Sequence, residues 1–260
     1  MFIILLIQLE FVKIKMASDI DLFNKSVEEN IKNLGNSKEM QELGVSFLEE
    51  TGKFNYTYNF SWMGLPIIQC PQDIVAMQEI LWRIKPDTII ETGIARGGSI
   101  AFYSSMMDMM GIADGKVIGI DIDIRAHNRE ALENHPTAKR IHLVEGSSID
   151  RKTVEQVTEL AKGSKTTLVC LDSMHTKEHV LEELRLYADL VSSGSYLVVF
   201  DTTIEYVPDS FYPDRPWGPG NSPMTAIEEF LKENSDFEID YAISDKLLIT
   251  VARNGFLRKK

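Results

Sequence analysis

Short apolar runs alternate with amphipathic stretches through the middle of the chain. Five runs are bounded by polar or glycine-rich turns, as buried strands are, at residues 88–91, 116–121, 140–144, 167–171 and 196–200. Four predicted helices separate them, at residues 99–110, 127–134, 151–162 and 177–190. This alternation predicts parallel strands joined by right-handed crossovers, with helices on both faces of the sheet.

The N-terminal part departs from this alternation. Residues 19–50 place apolar side chains such as Ile20 and Phe23 at helical spacing in polar surroundings, which predicts one or two amphipathic helices. An aromatic, proline-interrupted segment follows and predicts an irregular loop. Residues 72–84 then predict a helix that Pro86 ends.

The C-terminal part predicts antiparallel pairing. A predicted helix over 224–232 precedes two predicted strands, at 237–243 and 246–252. The two-residue link between those strands allows a hairpin but no parallel crossover. The pattern therefore predicts an α/β, Rossmann-like fold with a seven-stranded, mostly parallel sheet, a C-terminal antiparallel hairpin and added N-terminal helices.

The same pattern predicts how the chain is organised. Met16 resembles a natural start, so residues 1–15 are interpreted as an N-terminal extension. The other predicted units are a helical and irregular appendage at 16–70, the Rossmann-like domain at 71–254 and a basic tail at 255–260. The apolar run near the N-terminus is too short to span a bilayer, and a weak membrane-surface anchor is the alternative interpretation.

Charge and cysteine content narrow the range of partners. The 39 acidic and 27 basic residues give a net charge of −12, which disfavours nucleic-acid binding because phosphates would be repelled. Cys70 and Cys170 lie far apart and show no metal-ligand spacing, so they predict neither a disulfide framework nor a zinc site. We expect a cytoplasmic protein without membrane-spanning segments.

Polar residues follow each of the five central strands. In an open parallel sheet, ligands bind beyond the carboxyl ends of the strands, near the point where strand order reverses. The polar segments are 91–99, 121–123, 145–148, 172–175 and 201–203. Their recurrence at one edge of the sheet predicts a binding pocket there.

The first segment, "ETGIARGGS", is a glycine loop between a strand and a helix. It lacks the lysine of a phosphate-binding P-loop, and Ala95 occupies the place of the second glycine in a dinucleotide fingerprint. Glu91 puts a carboxylate where a pyrophosphate would pass, and a carboxylate suits a cationic amine. The methionyl amine of S-adenosylmethionine fits this description, although glycines at such a position also serve simple turns.

The next strand ends support the same cofactor. Asp121 can accept hydrogen bonds from ribose hydroxyls, with Asp123 as the alternative because strand ends are uncertain by a residue or two. The predicted cofactor-binding residues are Glu91, Gly93, Ala95, Gly97, Ser99, Asp121, Asp123, Gly146, Ser147, Ser148 and Asp172.

Asp172, His175 and Asp201 form a second candidate group. Two aspartates at neighbouring strand ends can present oxygens to one hard cation such as Mg²⁺. His175 is close enough in sequence to Asp172 to share its pocket and act as a general base, so His175 and Asp172 are the predicted catalytic residues. The alternative is that the aspartates cap helices; His179 is a second choice for the base.

A long loop after the fifth strand, residues 215–223 with the sequence "RPWGPGNSP", is a candidate substrate loop. Trp217 and the nearby Tyr212 can stack on a ring, including a sugar ring. A rigid surface loop, at a subunit interface for instance, is the alternative interpretation.

Five blocks of this chain resemble the cephalosporin hydroxylase family. They are "WRIKPDTIIETGIARGGSIAFY", "GKVIGIDIDIRAHNREALENHP", "RIHLVEGSSID", "LDSMHTKEHVLEELRLYADLVSSGSYLVV" and "RPWGPGNSPMTAIEEFL". The resemblance extends over residues 62–251. It implies a class I, S-adenosylmethionine-dependent methyltransferase related to Mg²⁺-dependent O-methyltransferases, some of which are associated with saccharide methylation.

The resemblance also implies residue roles. Glu91, Gly93 and Ser99 fall on the cofactor loop, Asp121 on the ribose-binding acid, and Asp172 and Asp201 on metal-site acids.

The chain departs from the family pattern at two positions. Phe200 precedes Asp201 where members usually carry Glu-Asp, and Met174 occupies the third position of the usual Asp-Ser-Asp-His motif. A phenylalanine in place of a carboxylate removes a hard oxygen ligand, which argues against Mg²⁺ binding.

We therefore expect an S-adenosylmethionine-dependent O-methyltransferase that acts on a hydroxyl of a small molecule or saccharide and forms a homo-oligomer. Mg²⁺ is a candidate second cofactor. Two alternatives remain open: a catalytically impaired partner subunit that binds the same cofactor, prompted by Phe200, and a nicotinamide-dependent oxidoreductase, which the missing dinucleotide fingerprint disfavours.

Overall fold

The computed structural model describes residues 2–260, and it describes the side chains of residues 18–260. The whole predicted extension at 1–15 therefore lies outside the residues whose side chains are described. The nine helices found in the described part of the chain are α1 Phe2–Asn36, α2 Lys38–Gly52, α3 Pro71–Ile84, α4 Gly98–Met109, α5 Ala126–Glu133, α6 Arg151–Ala161, α7 Lys177–Tyr187, α8 Pro223–Glu233 and α9 Tyr241–Leu247. Over the described residues, no helix is both long enough and apolar enough to cross a membrane.

The strands form one large sheet and one small hairpin. The hairpin consists of β1 Ser61–Trp62 and β2 Leu65–Pro66. The large sheet contains β3 Thr88–Thr92, β4 Lys116–Asp121, β5 Ile141–Glu145, β6 Thr167–Leu171, β7 Tyr196–Val199, β8 Phe237–Ile239 and β9 Phe256–Lys259. The five predicted central strands and the helices between them are confirmed to within about one residue at most of their ends, because strongly periodic segments are the most predictable part of a sequence.

The order of the large sheet is β5-β4-β3-β6-β7-β9-β8. The pairs from β5 to β7 are parallel, whereas β9 lies antiparallel to both β7 and β8. The predicted seven-stranded, mostly parallel sheet with an antiparallel end is confirmed. Strand order reverses between β3 and β6, because the chain runs outward through β4 and β5 and returns to the other side of β3.

The predicted positions of the last two strands are wrong. Only residues 237–239 of the predicted strand at 237–243 are extended, and residues 241–247 form α9. The segment predicted as the second strand instead packs beside α3: the Thr250 hydroxyl and the Val251 amide donate to the buried carboxylate of Asp73. Its apolar character reflects burial in a loop, which a short apolar run cannot distinguish from a strand.

The predicted basic tail at 255–260 is wrong as well. Residues 256–259 form β9 between β7 and β8, and the side chains of Phe256 and Leu257 are fully buried. Lys259 is not a solvated end either, since its ammonium donates to the carbonyls of Ala188 and Val191. The boundary predicted at residue 70 is not decided by these contacts and stays a prediction.

Each face of the sheet buries alternate residues of its strands. Alternate residues such as Ile89, Cys170 and Val198 pack on the side of α3 and α4, while Ile90 and Leu197 pack on the side of α6, α7 and α8. Because side chains alternate along a strand, this assigns Glu91, which follows Ile89 by two residues, to the face covered by α4.

Replacing Phe256 by alanine tests the position of β9. We expect Phe256→Ala to lower the free energy of unfolding by about 3 to 5 kcal/mol, because it removes a fully buried ring between two strands. Arg258→Ala is the matched control in the same strand; its side chain is exposed, so a change within about 0.5 kcal/mol is expected. Urea denaturation followed by circular dichroism measures both, and equal midpoints would contradict the position of β9.

Candidate functional site

A cavity of about 270 Å³ opens at the carboxyl ends of the central strands, beside the point where strand order reverses. Its lining residues are Gly93, Ala95, Ile120, Asp121, Ile122, Gly146, Ser147, Ser148, Asp172, Ser173, Met174 and His179. Seven of the predicted cofactor-binding residues are thus brought together in one cavity. A larger groove of about 410 Å³ lies beside the edge strand β5 and contains none of the predicted site residues.

The glycine loop after β3 is held by close backbone contacts. Gly93 has a φ of 81°, and a Cβ atom there would lie 2.0 Å from the carbonyl oxygen of Asp172. The Ala95 amide donates to the Asp121 carboxylate over 3.0 Å, and the Ala95 carbonyl accepts from Asn128 over 2.9 Å. The loop is therefore preformed, and only glycine fits where it passes the end of β6.

Asp121 and Asp123 are distinguished by their positions. Asp121 ends β4, lines the cavity and accepts backbone N–H groups from Ala95 and from Asp123. The side chain of Asp123 is exposed and lies outside the cavity lining. Between these two predicted candidates, the geometry favours Asp121.

Glu91, Gly97 and Ser99 lie behind the lining of the cavity. Glu91 is fully buried, one of its oxygens accepts the Ser99 hydroxyl, and its Oε2 atom has no hydrogen-bond partner. Burial raises the pKa of this carboxyl to about 7, against the opposing effect of hydrogen bonds from Ser99 and Tyr103. A buried carboxylate oxygen without a partner has an unmet need for a donor, and a cationic amine meets that need.

The cavity is acidic. Glu91, Asp121 and Asp172 form no salt bridge with any lysine or arginine whose side chain is described. Such surroundings repel a pyrophosphate and attract a ligand that carries positive charge. S-adenosylmethionine has both a sulfonium and an ammonium group, and the open glycine backbone, Asp121 and the unpartnered Glu91 oxygen fit it.

Sequence reasoning missed a hydrogen-bonded cluster at the floor of the cavity. The Nε2 atom of His179 lies 3.1 Å from the hydroxyls of both Ser148 and Ser173. Ser173 also donates to Glu183, a fully buried acid on α7, over 2.7 Å. The spacing of His179 and Glu183 on one helix face was visible in the sequence, but nothing there indicated that Ser148, in the loop after β5, would reach His179.

Asp172, His175 and Asp201 converge next to this cavity. One ligand atom from each residue lies within 4.8 Å of the others, and His175 Nε2 is 3.3 Å from an Asp201 oxygen. Burial, with the neighbouring carboxylates of Asp201 and Glu91, raises the pKa of Asp172 well above its usual value. The predicted catalytic and metal-binding residues thus lie close enough together to bind one ion. A cation bound between them would relieve the repulsion of the two aspartates.

Phe200 lies beside this group. Its side chain is 1% exposed and belongs to the core on the α3 side of the sheet. Leu171 pairs with Val199, and the Phe200 amide donates to the Leu171 carbonyl, so position 200 follows β7 alongside Asp172. The ring thus occupies the place where an acid would have added a further oxygen near Asp172.

The loop between β7 and α8 covers the group from one side. The rings of Trp217 and His175 meet edge to face at 4.8 Å. Three hydrogen bonds hold the base of the loop: Glu205 accepts from the Gly220 amide and the Ser222 hydroxyl, and Asn221 accepts from the Lys177 amide. These bonds fix the loop that carries Trp217 beside the site, and its role as a substrate loop stays a prediction.

Comparison with known proteins supports the predicted family. Residues 54–260 match the family model "Rhamnosyl O-methyltransferase/CmcI". The chain is 32% identical over 224 residues to the Rhamnosyl O-methyltransferase of Mycobacterium leprae, covering 83% of this chain and 91% of that protein. It is 34% identical over 203 residues to the Rhamnosyl O-methyltransferase of Mycobacterium bovis strain BCG, covering 76% and 77%.

Solved structures share the fold. The apo structure of CmcI-N160 superposes with a TM-score of 0.56 at 24% identity, over 78% of this chain and 76% of that one. The structure described as cmcI-D160 Mg-SAM gives the same TM-score and identity, over 78% and 77%. The resemblance to the cephalosporin hydroxylase family is thereby confirmed, and the chain belongs to the Rhamnosyl O-methyltransferase/CmcI family of O-methyltransferases.

Proposed function

We propose that this protein transfers the methyl group of S-adenosylmethionine to a hydroxyl group of a saccharide or a related small molecule. The observation that carries the proposal is the acidic cavity at the strand-order reversal, which adjoins the Asp172, His175 and Asp201 group. Two relatives named Rhamnosyl O-methyltransferase favour a saccharide as the acceptor.

The cofactor-binding roles follow from position. Gly93 and Ala95 line the cavity and let the backbone approach the cofactor, Gly97 supports the turn behind them with a φ of 81°, and Asp121 accepts hydrogen bonds from the ribose hydroxyls. Gly146, Ser147 and Ser148 line the wall formed by the end of β5. Glu91, backed by Ser99, faces the cofactor's amino group, directly or through a water molecule.

The protein itself must align the acceptor hydroxyl with the methyl group and help to remove the proton of that hydroxyl. The methyl group of a sulfonium is already activated, so transfer requires the acceptor oxygen to be held in line and to lose its proton. Asp172, His175 and Asp201 lie beside the cavity, and we assign the proton removal either to His175 or to a metal ion held by Asp172 and Asp201. A divalent cation bound there would supply positive charge that lowers the pKa of the acceptor hydroxyl.

Trp217 and Tyr212 shape the acceptor side. Burial, with the neighbouring carboxylate of Asp201, raises the pKa of the Tyr212 phenol. The faces of aromatic rings pack against the apolar faces of sugar rings, which fits a saccharide acceptor.

Among the alternatives, a catalytically impaired partner subunit has one observation in its favour, the replacement of an acid by Phe200. It predicts cofactor binding without transfer. The oxidoreductase alternative requires a pyrophosphate in the acidic cavity, and membership of an O-methyltransferase family opposes it.

The cellular location is part of the proposal. Cys70 and Cys170 are both buried and unpaired, as is usual in a reducing compartment, so we propose that the enzyme works in the cytoplasm.

A calorimetric comparison of Asp121→Ala with Asp123→Ala tests the cofactor site. We expect Asp121→Ala to weaken S-adenosylmethionine binding by roughly 10- to 100-fold, since one carboxylate forms charge-assisted hydrogen bonds worth about 1.5 to 3 kcal/mol. Asp123→Ala is the matched control and should bind as the parent protein does, because its side chain is exposed outside the cavity. Equal losses in both variants would contradict the proposed ribose contact, and no binding at millimolar cofactor would contradict the function.

Asp172→Asn tests catalysis. The substitution keeps the size of the side chain but removes the carboxylate, so methyl transfer to rhamnoside acceptors should fall at least about 100-fold while the fold persists. Transfer of a radiolabelled methyl group measures this. Full activity in the variant would remove Asp172 from the mechanism, and binding without any transfer by the parent protein would favour the impaired-subunit alternative.

We also infer self-association through α1. Ile20 and Phe23 lie about one turn apart on this helix and are each more than half exposed, and a chain rarely leaves such a patch in water. Light scattering should show an oligomer for the parent protein and a smaller species for the double variant Ile20→Ser, Phe23→Ser. Asp21→Ser on the same helix is the control; an unchanged mass in the double variant would exclude this surface.

A further inference from the structure

His175 lies beside two carboxylates of the candidate site. Its Nε2 atom lies 3.3 Å from Asp201 and within 4.8 Å of a ligand atom of Asp172. Two ligands of one ion with bonds of about 2.1 Å lie roughly 3 to 4 Å apart. The three side chains therefore stand at separations that need only small adjustments to bind one cation.

The basic side chain of Arg215 lies over the ring of Trp217 and not against the aspartates. Among the side chains that the structure describes, no lysine or arginine forms a salt bridge with Asp172 or Asp201, and His175 is the only basic partner of Asp201. The side chains of His175 and Asp201 are 17% and 28% exposed, so the group is open on one side to further ligands. Trp217 packs edge to face on the His175 ring and restricts its orientation.

The chain also lacks an oxygen ligand at the neighbouring position. Phe200 follows β7 alongside Asp172, but its side chain is an apolar ring in the core. Among the histidine, cysteine and acidic side chains that the structure describes, His175 is the third that comes within ligand range of Asp172 and Asp201.

We propose that His175 replaces this missing acid as the third protein ligand of a metal site, which consequently selects a first-row transition-metal dication such as Mn²⁺ or Co²⁺ over Mg²⁺. The physical basis is ligand type: imidazole nitrogen suits first-row transition metals, whereas Mg²⁺ prefers carboxylates, carbonyls and water. The inference rests on the proposed function, because the same three residues adjoin the proposed methyl-transfer site. His175 then holds the ion and does not take the proton from the substrate hydroxyl.

Titration calorimetry of tag-free protein with CoCl₂ and with MgCl₂ tests the proposal. The parent protein should bind Co²⁺ at least tenfold more tightly than Mg²⁺. Because many oxygen sites also favour Co²⁺, the decisive quantity is the ratio of the two affinities in His175→Glu, which substitutes a carboxylate for the imidazole. That ratio should fall at least tenfold, whereas it should not change in His127→Ala, a control that removes an exposed imidazole from α5.

A measurement on the parent protein covers the case in which His175→Glu does not fold. Electron spin-echo modulation of the Mn²⁺-loaded protein should show coupling to a directly bound imidazole nitrogen. Absence of that coupling, absence of metal binding, or an unchanged affinity ratio in a folded His175→Glu would each overturn the proposal. S-adenosylmethionine binding measured without metal reports separately on the proposed function, so the two failures are distinguishable.

Discussion

The site depends on backbone hydrogen bonds that continue the sheet ladder one residue beyond its strands. The Gly93 amide donates to Ile120, the Asp172 amide to Thr92, the Gly146 amide to Asp121 and the Phe200 amide to Leu171, over distances of 2.8 to 2.9 Å. Thr92 pairs in register with Ile120 on one side and with Leu171 on the other. The glycine loop, the ribose acid and the candidate metal ligands are consequently fixed at one level by the same ladder that holds the fold together.

This arrangement concentrates negative charge where solvent is scarce. Burial raises the pKa of both Glu91 and Asp172, so this pocket is a costly place for ionised carboxylates. A sulfonium cofactor with an ammonium group, and a divalent cation beside it, would lower that cost. The electrostatic character of the pocket thus agrees with the family of the chain and disfavours phosphate-bearing cofactors.

Much of the site could be predicted from sequence, because apolar periodicity located the strands and the residues after each strand necessarily share one edge. The C-terminal strands could not, since the apolar residues around Thr250 are buried by loop contacts with Asp73 that leave no periodic signal. The His179 cluster was likewise not predicted, because Ser148 follows β5, Ser173 follows β6 and Glu183 lies on α7, and only the folded chain brings these side chains together around His179. Phe200 was recognised as a departure, but the approach of His175 to Asp201 required the three-dimensional arrangement.

A crystal structure with S-adenosylhomocysteine, the product form of the cofactor, tests the central claim most directly. The account predicts its ribose at Asp121, its amino group near Glu91 and its sulfur directed toward Asp172, His175 and Asp201. Electron density for the ligand in the groove beside β5, or a sulfur turned away from these three residues, would contradict it.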